Sequence, residues 1–188
     1  SREPFVEAPR PASLIRVHYD ASDGWRSPIF HLPACPGGAG EPVVLAHTLA
    51  MGPDVFRYGN TATLARVLQK AGFSVYLPTH RGDVQSRGPR RRRSFGAGCD
   101  FDGIVQRDVP AMLEQIAKHS GFPSVHWVGH GLGGQAGLAW CGWSGAERIA
   151  SLVTVGAAVR FSKARSPAVR LARASALFPR NWSVPTQA

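Results

Sequence analysis

The chain has 188 residues, of which 44% are hydrophobic and 18% charged, and a net charge of +10. This is an ordinary globular composition with enough apolar residues for one core. The longest apolar run, at 149–159, is too short for a transmembrane helix, which needs roughly 18 residues. The three cysteines are widely spaced and odd in number, which excludes a simple disulfide framework and a Cys-x-x-Cys metal knuckle.

The positive charge is concentrated in two segments. Arg87 and the run at 90–93 form one, and residues 148–188 form the other, with seven basic and no acidic side chains. The charge indicates an anionic partner such as nucleic acid, acidic lipid or an acidic protein surface, or acidic residues on a part of the protein outside this sequence. Nucleic acid is disfavoured, because only Phe95 lies near the run and such binding uses interleaved aromatic residues.

The first elements are predicted to form an antiparallel hairpin. Residues 1–13 are rich in proline and predict an N-terminal arm ahead of a core at 14–159. Alternating apolar residues at 14–19, a turn, and a second extended segment at 25–32 predict two paired strands.

The next segments predict a βαβ unit. Continuous apolar runs at 43–47 and 73–78 are typical of buried parallel strands, and the spacing at 61–71 between them is helical. A strand, helix, strand order favours a parallel sheet with helices on both faces. The Gly- and Arg-rich segment at 79–100 is predicted to be a loop.

The rest of the chain repeats this alternation. The spacing predicts a helix at 104–119 that Pro110 interrupts near its first turns, a strand at 125–128, a helix at 131–143, a strand at 149–155 and an amphipathic cationic helix at 168–178. We assign residues 160–188 to the start of a cap or lid.

Glycines between the strand at 125–128 and the following helix have the spacing of a serine-hydrolase nucleophile turn, G-x-S-x-G. Gly129 and Gly133 fill its outer positions, and Gly131 stands where the pattern has serine. The pattern needs glycine because a sharp strand-to-helix turn leaves no room for larger side chains. Gly129, Gly131 and Gly134 also fit the dinucleotide spacing G-x-G-x-x-G. That reading is disfavoured because the strand comes late in the chain and no acidic residue closes the next strand.

Four stretches in order give the chain a resemblance to the α/β-hydrolase superfamily, and within it to acid lipases and esterases. They are residues 43–52, 77–83, 101–111 and 129–134. The resemblance covers about 14–159. It implies the α/β-hydrolase fold, with a mostly parallel, doubly wound sheet, an antiparallel N-terminal hairpin, and last strands that this sequence does not include.

The resemblance also implies a site of the carboxylic-ester hydrolase type. Its oxyanion hole consists of the backbone N–H of Leu132 and one N–H from Thr48 or Leu49, and its turn consists of Gly129, His130 and Gly133. Gly131 leaves the nucleophile position vacant, so the chain is expected to be inactive as written. The triad acid and base follow this turn in chain order and are not assigned. His47, His130 and Asp108 are expected to be structural.

The implied ligand is an acyl-ester-like small molecule or lipid, with no cofactor and no metal. We expect residues beyond 188, or a second chain, to supply the C-terminal half. The alternative is a non-catalytic α/β-hydrolase-like binding or assembly subunit with basic docking patches. In that case an anionic partner would contact Arg90, Arg91, Arg92 and Arg93. Whether Gly131 is natural or engineered is left open.

Overall fold

The structure, a computed structural model, describes residues 14–48, 51–57, 63–89 and 99–158. Within these ranges six strands form one sheet with the order β1-β2-β4-β3-β5-β6. The strands are β1 Ile15–Asp20, β2 Arg26–Leu32, β3 Pro42–Ala46, β4 Ser74–Pro78, β5 Val125–His130 and β6 Ile149–Val155. The predicted arm and the predicted cap segment lie outside the described residues.

The helices connect these strands. They are a 3-10 turn Pro53–Phe56, α1 Leu64–Lys70, α2 Phe101–Gly103, a π-helical segment Ile104–Asp108, α3 Val109–Ser120 and α4 Leu132–Ser144. None of the helices in the described part of the chain has the length and apolarity to cross a membrane.

The sheet is mixed, as the sequence predicts. β1 pairs antiparallel with β2, and β2 pairs antiparallel with β4. The remaining pairs, β3 with β4, β3 with β5 and β5 with β6, are parallel. β6 lies at one edge of the sheet, where Val153 and Val155 are about half exposed.

Apolar clusters cover both faces of the sheet. One cluster joins α1 to the sheet through Ala65, which packs with residues of β2, β3 and β4. The other joins α3 and α4 to the opposite face and includes the fully buried Trp127 and Met112. The strands at the centre are therefore buried on both sides, which explains their continuous apolar sequence.

Two predicted boundaries were wrong. The helical segment predicted from 104 begins at Phe101, because the Asp100 carboxylate caps the Gly103 N–H at 2.6 Å. Pro110 lies in the first turn of α3, directly after the π-helical segment Ile104–Asp108, so the hydrogen-bond pattern of the helix changes where the interruption was predicted. β5 continues past the predicted end at 128, because Gly129 and His130 still pair with β6.

Candidate functional site

The carboxyl ends of β3, β4 and β5 meet at one edge of the sheet. Thr48 follows β3 by two residues, His80 follows β4, and Gly131 directly follows β5. In open α/β sheets this edge is where ligands bind, outside the carboxyl ends of the strands. The candidate site is therefore the place where the loop at Thr48 faces the turn at Gly131.

The turn at Gly131 has a backbone conformation that needs glycine. Gly131 has φ 53° and ψ −114° and is the residue that precedes the first turn of α4. Its N–H donates to the carbonyl of Val155 at 2.9 Å, and its carbonyl accepts from the N–H of Gln135 at 3.0 Å. The chain thus turns sharply from a buried strand into a helix within one residue, a conformation that side chains disfavour.

Two neighbouring glycines allow α4 to pack directly against the strands. A Cβ atom on Gly129 would lie 2.4 Å from the Cα of Gly134, and one on Gly133 would lie 2.2 Å from the carbonyl oxygen of Ala46. The Gly133 carbonyl also accepts a hydrogen bond from Nε1 of the buried Trp127 at 3.0 Å. These glycines fix the position of the N-terminus of α4 relative to β3 and β5.

The side chain of Thr48 lies against the turn. Its hydroxyl accepts a hydrogen bond from the backbone N–H of Leu132, the first residue of α4, at 3.4 Å. A Cβ atom on Gly131 would lie 2.1 Å from Oγ1 and 2.8 Å from Cβ of Thr48. Leu49, the other predicted contributor of an oxyanion N–H, lies outside the described residues.

Two buried histidines hold the backbone of the loop that carries Thr48. Nδ1 of His47 donates to the Thr48 carbonyl at 2.8 Å, and Nε2 of His80 donates to the His47 carbonyl at 3.0 Å. The two rings are 4.4 Å apart between centroids. Burial, followed by the nearby His80, lowers the pKa of His47 to about 3, and burial also lowers the pKa of His80. Both rings are therefore neutral near pH 7.

His80 is the residue of the site whose role the sequence analysis missed. It lies in the stretch 77–83 that carries part of the resemblance, but no role was predicted for it there. The signal was its position two residues after a buried parallel strand, where the chain reaches the same sheet edge as Thr48. His47 has the structural position expected of it. The ring of His130, at the end of β5, lies beside Gly156, where an added Cβ would be 3.7 Å away.

A buried ion-pair network supports the turn after β4. The guanidinium of Arg81 is fully buried and donates to Asp108 at 2.7 and 2.9 Å and to Asp23 at 2.8 Å. Burial lowers the pKa of Arg81, but the hydrogen bonds to the two carboxylates outweigh this effect and the pKa is raised. Asp108 is thus a structural hydrogen-bonding residue, as predicted.

A second polar surface lies on β1, β2 and the loop after β4. A surface cavity of about 450 Å³ is lined by His18 and by three arginines, Arg16, Arg26 and Arg87, which we call the basic cluster. Asp20 forms an exposed ion pair with Arg26 at 3.2 Å. Burial lowers the pKa of His18, and the nearby arginines lower it further. The predicted docking run, residues 90–93, lies outside the described residues and begins three positions after Arg87.

Comparison with known proteins decides the family. The family model of the α/β hydrolase fold matches residues 41–183. The chain belongs to this family. The chain is also 27% identical over 118 residues to Lipase 1 of Drosophila melanogaster, a match that covers 59% of this chain and 25% of the fly protein. It is 30% identical over 82 residues to the gastric triacylglycerol lipase of Homo sapiens, which covers 40% of this chain and 20% of the human protein.

Solved structures give the same fold. An epoxide hydrolase, VrEH1 of Vigna radiata, has a TM-score of 0.60 at 19% identity, and the match covers 86% of this chain and 46% of the epoxide hydrolase. An esterase of Exiguobacterium antarcticum has a TM-score of 0.59 at 19% identity, and the match covers 77% of this chain and 46% of the esterase. The chain thus spans about half the length of these structures and a quarter or less of the curated lipases that it matches.

Proposed function

We propose that this α/β-hydrolase chain carries an acyl-ester site of the lipase and esterase type whose nucleophile position is vacant at Gly131. The observation that carries the proposal is the sharp turn at Gly131, with φ 53° and ψ −114°, between a buried strand and the N-terminus of α4. In the G-x-S-x-G arrangement this residue presents the attacking hydroxyl above the sheet edge. Glycine presents no atom that could attack a carbonyl.

The N-terminus of α4 supplies the second element of an acyl site. The N–H of Leu132 points toward the loop after β3, where it meets the hydroxyl of Thr48. The first turn of α4 contains no acidic residue, so the positive end of the helix dipole is not neutralised there. An amide at this position suits the oxygen of an ester carbonyl, which carries partial negative charge.

The expected consequence is binding without turnover. Removal of a triad nucleophile lowers the rate by several orders of magnitude, although oxyanion and binding effects persist. The matched relatives named as lipases favour an acyl ester or lipid as the ligand, rather than a nucleotide or an ion. The protein would then hold an acyl ester at the sheet edge as a non-catalytic member of the family.

The test uses the full-length protein and p-nitrophenyl butyrate. The Gly131→Ser change is combined with Thr48→Gly, because a side chain at 131 would meet Thr48. We expect the unaltered protein to bind the ester and release p-nitrophenol only at the rate seen without protein, and the double variant to exceed that rate. Gly131→Ala with Thr48→Gly is the control and should stay at background. Rapid turnover by the unaltered protein, or neither binding nor gain in the double variant, would reject the proposal.

A second candidate function is a non-catalytic assembly subunit that docks an acidic protein surface. The basic cluster favours it, because three arginines line one surface cavity and only Arg26 of them has an ion pair with a described acidic residue. Asp20 offsets one of the three positive charges, so the cluster keeps a net positive potential. The test is the binding of a polyglutamate peptide at increasing salt. Affinity that does not fall with ionic strength would remove the electrostatic basis.

A further inference from the structure

Thr48 and Gly131 occupy each other's space. A Cβ atom at position 131 would approach Oγ1 of Thr48 to 2.1 Å and Cβ of Thr48 to 2.8 Å. Rotation about χ1 of Thr48 can remove the first contact, because it swings the hydroxyl away. It cannot remove the second, because the Cβ atom does not move when χ1 changes. With this backbone, a side chain at 131 therefore requires glycine at 48.

The hydroxyl of Thr48 is also hydrogen-bonded to the backbone amide of Leu132, the group proposed above to bind the carbonyl oxygen of the ester. The Leu132 N–H donates to Thr48 Oγ1 at 3.4 Å. A backbone N–H offers a single hydrogen, so an ester carbonyl that binds here must compete with this hydroxyl. The loop that holds the hydroxyl is itself fixed, since His47 donates to the Thr48 carbonyl and His80 to the His47 carbonyl.

We propose that Thr48 and Gly131 form a coupled pair, in which Thr48 takes the space of the missing side chain and gates the acyl site through its hydroxyl. The hydroxyl that the serine-hydrolase pattern carries at the start of the helix is here carried by the opposite loop, where it satisfies the Leu132 amide. Thr48 thus determines the affinity of the site for an acyl ester. The gating part of this inference rests on the proposed function, and the coupling part does not.

A double-mutant cycle tests the coupling in the full chain: Gly131→Ala, Thr48→Gly and both together, measured by urea unfolding. The clash should lower the ratio of folded to unfolded protein by about a hundredfold for Gly131→Ala alone. The same change should cost about tenfold or less in the Thr48→Gly background, where only the strain of a positive φ remains. If Gly131→Ala alone fails to fold, recovery of folding in the double variant supports the coupling. An equal cost in both backgrounds, or failure of both to fold, overturns it.

Ester affinity tests the gate. 4-Methylumbelliferyl butyrate is titrated against the unaltered protein, Thr48→Gly, Thr48→Val and Thr48→Ser. Thr48→Gly frees the Leu132 amide and should bind about tenfold tighter, a gain typical of one released hydrogen bond, whereas Thr48→Val places a methyl group where Oγ1 was and should bind no tighter than the unaltered protein. Thr48→Ser keeps the hydroxyl and should bind as the unaltered protein does.

The outcomes separate the two proposals. Equal affinity of all four proteins overturns the gate and leaves the acyl site standing. Binding by none of them, together with an intact stability coupling, rejects the acyl site and the gate, and leaves the steric pairing of Thr48 with Gly131.

Discussion

Two turns at the same sheet edge are held in opposite ways. The turn after β5 is held by the absence of side chains, because Gly129 and Gly133 let the backbone of α4 come within contact distance of two strands. The turn after β4 is held by charge, because Arg81 is fully buried between Asp108 and Asp23. The candidate acyl site lies at the first turn, and the second supports the neighbouring loop.

The difference has a consequence for tolerance to change. The turn after β5 has no space for a single added carbon atom, but it contains no charged group that could be left without a partner. The turn after β4 is held by the charged groups of Arg81, Asp108 and Asp23, so the loss of Arg81 would leave a buried carboxylate without its partner. Added side-chain atoms should therefore disrupt the turn after β5, and the removal of a charge should disrupt the turn after β4.

The largest effect is expected from Gly133→Ala. The added Cβ would lie 2.2 Å from the carbonyl oxygen of Ala46, which is backbone and cannot rotate away. We expect a loss of more than about 3 kcal/mol in the free energy of unfolding, enough to prevent folding of a marginally stable domain. Circular dichroism and urea unfolding measure it.

Gly142→Ala in the same helix is the matched control. A Cβ there would have no atom within 4 Å, so the change should be neutral or stabilise the protein by up to about 1 kcal/mol. Equal effects at 133 and 142 would show that helix propensity, rather than close packing on β3, governs this region.

The next largest effect is expected from Arg81→Met. It leaves Asp108 and Asp23 without their buried partner and should lower the free energy of unfolding by about 3–5 kcal/mol. Arg107→Met, which removes only the half-exposed pair with Asp23, should cost less than about 1 kcal/mol. Chemical denaturation of the two variants compares them. Similar losses would contradict the assignment of the network's stability to Arg81.

Acid is expected to lower the free energy of unfolding by a smaller amount for each group, and the groups responsible are the buried histidines. The folded-state pKa values of His31 and His47 are lowered to about 4 and about 3 from 6.5, and that of His80 is also lowered. The unfolded chain therefore takes up protons that the folded chain refuses, and stability is complete above pH 6.5 and falls as the pH drops toward about 3. Between pH 7 and pH 4, His31 and His47 should each account for a loss on the order of 3 kcal/mol in urea unfolding.

His80→Gln sharpens this test. The amide nitrogen of glutamine can replace Nε2 as donor to the His47 carbonyl, but it does not titrate. The variant should keep its stability at pH 7 and lose less of it on acidification. A slope with pH identical to that of the unaltered protein would assign the acid sensitivity to other groups.

The sheet could be predicted from the sequence because its signals are local. Apolar alternation marked β1, the turn after it indicated the returning strand β2, and continuous apolar runs marked β3, β4 and β6. The end of β5 could not be located in this way. Gly129 and His130 look like turn residues, and they are extended because β6 provides partners for them.

The glycine spacing likewise predicted the turn at Gly131, but not what lies against it. The place of the Thr48 side chain depends on three separate segments meeting, and no local pattern encodes that. The same limit applies to Asp108. Its structural role could be predicted, but its partner Arg81 and, through Arg81, Asp23 could not, because long stretches of chain separate them from it.

The proposed vacancy of the nucleophile position at 131 is tested most directly by covalent labelling of the full-length protein with a fluorophosphonate probe, followed by peptide mapping. We expect no label on the unaltered protein and one phosphonyl group on the new serine of the Gly131→Ser, Thr48→Gly variant. Label on the unaltered protein at Thr48, or on any other hydroxyl at this sheet edge, would show that the site has a working nucleophile and would contradict the account.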